Sequence, residues 1–236
     1  MKKMSYLFAK CNSIDYDVVG EDVNYKFIEE GRTLYIYFQG SSSVTDWIRN
    51  FLFGKKPYKD MKIPYRVHRG FLKAWKEVED LVIEKITERK LSTANTLEEM
   101  SGILVNQEYQ WKEIIIVGYS HGGALAQFAH ECVWFYRPDL RKEGLTTYAF
   151  EAPRIYAGYR VKKSLRERWT NCFVIRNNND IVTHCPPRLF GYADINKEQM
   201  IQIHGDISSV TQWYIPKCIK SHYPQPVYDG LVKYEK

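Results

Sequence analysis

At 236 residues, with 44% hydrophobic and 26% charged side chains, the chain can bury a full core without disulfide or metal staples. Its net charge of +6 is modest and spread along the sequence, which argues against a nucleic-acid surface but leaves room for transient contact with an anionic lipid surface. No apolar run approaches membrane-spanning length, and the five cysteines lack metal-ligand spacing, so neither a transmembrane segment nor a metal is expected.

The segment from Met1 to Lys10 begins like a signal peptide but has almost no apolar stretch before Lys10 and Cys11. The cysteine number is odd, and Cys132 and Cys172 fall in a predicted helix and strand as reduced core residues. Together these features predict a cytoplasmic protein. Val23 to Glu29 and Thr33 to Phe38 alternate around Glu30-Gly31 as an N-terminal β-hairpin. The serine-rich turn Gly40-Ser41-Ser42-Ser43 then leads into a capped helix carrying Trp47, Ile48, Phe51 and Leu52, which Gly54 to Pro57 breaks. That apolar face is either core packing or the underside of a flap over residues 44–62. Residues 65–71 predict a short strand and turn, and Leu72 to Lys90 a helix. A loop from Ser92 and a short helix around Leu97 to Val105 follow.

The organising stretch is Ile114 to Ala126: a β-branched run, then Gly118-Tyr119-Ser120-His121-Gly122, then small and helix-favouring residues. Strand, tight turn and helix in that order lift the Ser120 hydroxyl clear of a sheet and aim a helix N-terminus at it. Ser120 is therefore the expected nucleophile. Further strands are predicted over Leu145 to Phe150 and Asn171 to Arg176, with a helix over Gly158 to Arg168 between them. Short strands around Arg188 to Ala193 and Gln199 to His204, and a helix near Tyr228 to Tyr234, complete the chain. The alternation predicts one α/β domain over residues 1–236, with a mainly parallel central sheet flanked by helices.

A serine nucleophile needs a base, and the base an orienting carboxylate, in the chain order serine, acid, histidine on this architecture. Of the downstream acids Asp139, Asp180, Asp194 and Asp206, Asp180 directly follows a strand, where functional loops collect. His130 lies on the helix of the elbow itself, and His184 is close to Asp180 in sequence. Spacing leaves both His204 and His222 in play as the base, with the late loop before Pro224 favouring His222. The oxyanion would be held by the N–H of His121 and by an early loop, where Ser41 offers an N–H and a hydroxyl.

Several motifs in one order resemble the class 3, fungal-type lipases of the α/β-hydrolase fold. They are Phe38-Gln39-Gly40-Ser41 with Asp46-Trp47, Val67-His68-Arg69-Gly70-Phe71, Gly118 to Leu125, Phe150 to Arg154, Asn179-Asp180-Ile181-Val182, and His222 with Tyr228. Gln39 stands where the family usually has arginine. The resemblance implies Ser120, Asp180 and His222 as a catalytic triad, Ser41 and His121 as the oxyanion hole, and no cofactor. It implies a lipase or esterase acting on lipid or other small carboxylic esters. Phospholipase, thioesterase and acyltransferase chemistries use the same machinery, and a non-catalytic binding module is the reading from another class. Oligomeric state and acyl-chain length are not written in these motifs.

Overall fold

The computed structural model describes residues 2–21, 23–40, 54–58, 66–89, 108–157, 167–177, 180–194 and 197–236. The expected helices over residues 47–53 and 97–105, most of the expected flap and most of the expected helix over 158–168 lie outside them, as does Ser41.

Strands β1 (Asp17–Val19), β2 (Val23–Glu30), β3 (Thr33–Phe38), β6 (Glu113–Tyr119), β7 (Leu145–Phe150), β9 (Cys172–Asn177) and β11 (Met200–Ile203) make one sheet, in the order β1-β2-β3-β6-β7-β9-β11. β2 and β3 pair antiparallel across Gly31, as the alternation predicts, and every neighbouring pair from β3 to β11 is parallel. A smaller sheet joins β4 (Lys55–Pro57), β5 (Arg66–His68), β8 (Tyr156–Ala157) and β10 (Tyr192–Ala193) in the order β10-β8-β5-β4. Strands of two or three residues carry too little periodicity to predict this second sheet.

Helices cover both faces of the main sheet, so its central strands are apolar on both sides. Leu34, Ile36, Phe38, Ile114 and Ile116 pack against α2 (Arg69–Thr87) and α3 (His121–Tyr136). The alternate residues Tyr35, Tyr37, Ile115, Val117 and Tyr119 turn the other way. They meet Leu7 and Phe8 of α1 (Met4–Cys11) and Val227 and Leu231 of α5 (Pro224–Tyr234). The strand period of two sorts one run of hydrophobic residues into two cores. Helix α2 starts three residues earlier than its periodicity suggests, because His68 caps it: the ring Nδ1 accepts a hydrogen bond from the Phe71 N–H at 3.3 Å. Thr87 closes it, and Glu88 follows in the left-handed region.

Among the described residues no helix is long and apolar enough to cross a membrane. The parallel strands end at a common edge, where Ser120 follows β6, Glu151 follows β7 and Asp180 lies beyond β9. In open α/β sheets this carboxyl edge is where chemistry collects.

Candidate active site

Ser120 occupies the turn between β6 and α3 with φ +56° and ψ −118°, a backbone conformation unusual for a residue with a side chain. Two glycines make so sharp a turn possible. A Cβ on Gly118 would stand 2.1 Å from the Gly122 carbonyl oxygen, and one on Gly122 would stand 2.2 Å from that of Phe38. Strand β3 runs beside the turn, with Phe38 in register with Gly118. A Cβ on Gly40 would come within 3.3 Å of the Ser120 Cβ. The end of β3 therefore delivers Gly40 to the nucleophile. Gln39, in the place of the usual arginine, has its side-chain carbonyl bonded by the Asn24 amide at 2.9 Å on the neighbouring strand. His121 opens α3, so by helix geometry its backbone N–H faces out of the N-terminal end, on the Ser120 side.

His222 arrives from the opposite end of the sequence. The short helix α4 (Lys217–Lys220) and the turn after it place its ring between Ser120 and Asp180, with all three side chains buried. His222 Nε2 lies 2.8 Å from Ser120 Oγ, and His222 Nδ1 lies 2.6 Å from Asp180 Oδ2. An ionised carboxylate only accepts, so Nδ1 carries the ring proton and Nε2 is left to accept from the serine hydroxyl. The other Asp180 oxygen accepts the Val182 N–H at 2.9 Å. Asp180 is thus satisfied from two sides, and its position is set by its own loop.

Sequence reasoning missed the residues that bring these two loops together. Asn177, the last residue of β9, donates its amide to the Ser221 carbonyl at 2.8 Å and accepts the Gly205 N–H at 2.8 Å. The Ile181 N–H bonds the Cys218 carbonyl at 3.2 Å. Tyr119 donates its hydroxyl to the His222 carbonyl, and its ring stacks on the imidazole with centroids 5.3 Å apart. Burial, with Glu151 and Asp180 nearby, pushes the Tyr119 phenol well above its ordinary pKa, so it stays a donor. Each tie spans distant parts of the chain, and no local pattern could have signalled it.

The remaining sequence candidates fall elsewhere. His204 is exposed at the end of β11, outside the line from Ser120 to Asp180. The His184 ring meets the backbone carbonyl of Asp180 rather than its carboxylate. His130 is buried behind α3 between Thr147 Oγ1 at 2.8 Å and the Arg168 carbonyl at 2.6 Å, and burial pushes its pKa down to about 4. Asp139 pairs with Arg137, and Asp206 caps the turn at Ser208. Asp194 is an ion-pair centre. Burial opposes its charge, but Arg176, Arg154 and Arg188 outweigh burial and hold its carboxyl well below the usual carboxylate range. Arg154 also donates to the Pro186 carbonyl at 3.1 Å, tying the end of β7 to the loop beyond Asp180. Among the described residues, Glu151, Asp180 and His222 form one cluster whose donor atoms converge, all within 4.8 Å of one another. The His222–Asp180 hydrogen bond already joins two of the three.

The family description Lipase (class 3) matches residues 35–190, which contain Ser120 and Asp180. A lipase of Rhizomucor miehei is 28% identical over 174 residues, covering 72% of this chain and 42% of that protein. A secreted mono- and diacylglycerol lipase of Fusarium solani is 28% identical over 173 residues, covering 71% and 43%. These matches span less than half of the relatives' own lengths. Among solved structures, the triacylglyceride lipase of Rhizomucor miehei superposes with a TM-score of 0.63 at 18% identity, over 96% of this chain and 94% of that one. That likeness shows the shared α/β-hydrolase fold. The cytoplasmic expectation does not stand, because it is contradicted by the relatives, of which the Fusarium solani lipase is secreted. Cys11, Cys132 and Cys172 are buried as packing residues, a role that does not report a compartment. By the match over residues 35–190, the chain belongs to the class 3 lipase family.

Proposed function

We propose that this protein is a serine ester hydrolase that cleaves lipid esters of the acylglycerol type. The observation that carries this reading is the continuous hydrogen-bonded line from Ser120 Oγ through His222 to Asp180, at 2.8 and 2.6 Å. The lipid substrate class is supported by the relatives, which are lipases and a mono- and diacylglycerol lipase.

In this reading Ser120 Oγ attacks the ester carbonyl while His222 Nε2 takes its proton. Asp180 holds the ring in the tautomer that can accept that proton and stabilises the imidazolium that forms. The His121 N–H faces the oxyanion as the carbonyl becomes tetrahedral, and Ser41, next to Gly40, is its proposed partner. The imidazolium then gives its proton to the departing alcohol, leaving an acyl group on Ser120. Water attacks that acyl group with His222 again as base, and the carboxylic acid leaves. One domain over residues 1–236 supplies the nucleophile from its sheet and the base from its tail. The chemistry calls for no metal or organic cofactor.

The test is hydrolysis of p-nitrophenyl esters of short, medium and long chain, below and above their solubility limits. Ser120→Ala should lower kcat by about a thousandfold or more with an unchanged melting temperature. A rise in wild-type rate once ester aggregates form would identify a lipase, and smooth saturation on short soluble esters an esterase. Turnover retained in Ser120→Ala would contradict the assignment.

A further inference from the structure

Glu151 has no part in the mechanism above, yet it lies beside the acid. It is the first residue after β7, with φ +48°, and its side chain is fully buried. A side chain in the left-handed region strains the backbone, so the position is not a neutral place for a glutamate. Its N–H is bonded to the Ile175 carbonyl at 2.8 Å, which fixes the backbone between β7 and β9. Neither carboxyl oxygen has a well-formed hydrogen bond, although the Asn177 backbone N–H lies close enough to favour the charged form.

The titratable and charged groups facing Glu151 are Asp180, Tyr119, Arg176 and His222. The Arg176 guanidinium is engaged with Asp194 at 2.5 Å, and the Tyr119 hydroxyl with the His222 carbonyl. Two carboxyls buried side by side cannot both ionise. Asp180 has two well-formed donors, the Val182 N–H and His222 Nδ1, against the weaker approach of the Asn177 N–H to Glu151, so the charge settles on Asp180 and the proton on Glu151. Burial, then the charge of Asp180, push the Glu151 carboxyl well above the usual carboxylate range. A proton on Glu151 also supplies the missing donor, and Asp180 is within its reach.

We propose that Glu151 is a positioning residue for the base: as a neutral carboxylic acid it donates a hydrogen bond to Asp180, so that the two carboxyls share one negative charge and keep the His222 ring in register with Ser120. The proposal rests on the triad reading above. It makes activity fall at alkaline pH, because loss of the Glu151 proton removes the donor and places a second negative charge against Asp180. A serine hydrolase without such a group would plateau once its histidine is neutral.

The experiment measures kcat and KM on a soluble short-chain p-nitrophenyl ester from about pH 5 to about pH 10, with spontaneous hydrolysis subtracted. The proteins are wild type, Glu151→Gln, Glu151→Leu and Ser120→Ala. The amide of Glu151→Gln still donates but has no proton to lose, so it should keep most of kcat at neutral pH and lose the alkaline decline. Glu151→Leu should lose about tenfold or more in kcat at neutral pH with KM unchanged. A wild type without an alkaline decline, or a Gln variant that retains it, would overturn the proposal, as would Gln and Leu variants equally impaired. Should Glu151→Leu fail to fold, the pH profile of the isosteric Gln variant decides alone. Failure of the triad reading would be seen separately, as wild-type turnover in Ser120→Ala.

Discussion

The two halves of the proposed triad are held by different physics. Ser120 is held by packing: a strand, a turn too tight for any Cβ at Gly118 or Gly122, and a helix seated on the sheet. Asp180 and His222 are held by polar ties between loops, through Asn177 to Ser221 and Gly205, Ile181 to Cys218, and Tyr119 to His222. The loop beyond Asp180 is fastened in turn by the arginines around Asp194. The packed half is local in sequence and insensitive to pH. The tied half joins distant segments and includes ionised groups. Removing single atoms should therefore damage the two halves in distinguishable ways.

The packed half should break most severely. In Gly118→Ala the new Cβ would meet the Gly122 carbonyl at 2.1 Å, so the turn itself must shift. We expect a loss of about 3 kcal/mol or more of stability and about a hundredfold or more in kcat, read by chemical unfolding and ester hydrolysis.

The tied half should show a pH signature instead. Asp194→Asn leaves Arg154 and Arg176 buried without their counter-charge. The expected cost is about 3 kcal/mol at neutral pH, the low end for a buried pair because Arg188 remains solvated. The folded pKa of Asp194 is depressed, so its stabilisation is complete above the ordinary carboxylate pKa of about 4 and is lost as pH falls through the lower folded value. Urea unfolding of wild type and variant should converge in strong acid and differ most at neutral pH. The packed variant Gly118→Ala should show no such convergence.

The smallest effect is expected at Asn177. Asn177→Ala removes the bonds to Ser221 and Gly205, for about 2 kcal/mol and a drop in kcat larger than any change in KM, since the base and not the binding surface loses its anchor. A loss confined to KM would show that Asn177 has no part in placing His222.

This division also explains what could be read from the sequence. The hairpin of β2 and β3, the strand before Ser120 and the helix after it carry their instructions locally, in alternation, β-branching and glycine spacing. The parallel order follows from strand–helix alternation, and Asp180 was legible because it leaves a strand at the carboxyl edge. His222 was separable from His204 only with help from the family resemblance, because what places it is the Tyr119 hydroxyl and the Asn177 amide, whose partners lie 103 and 44 residues away. Glu151 was overlooked in its strand-end motif for the same reason: its significance is its neighbour Asp180, which belongs to another strand's loop. Helix α1 was hidden differently. Its residues Leu7, Phe8 and Cys11 are an apolar stripe too short to mark a helix by periodicity, and it is packing against Tyr119 and Phe150 that gives the stripe its role.

The central claim is that His222 activates Ser120. A fluorophosphonate probe forms a stable adduct with an activated serine, so the direct test is peptide mapping by mass spectrometry after labelling the wild type, Ser120→Ala and His222→Ala. The account predicts a single adduct on Ser120 in the wild type, none in Ser120→Ala, and labelling slowed by about a hundredfold or more in His222→Ala. An adduct on another serine, or equal labelling of wild type and His222→Ala, would contradict it.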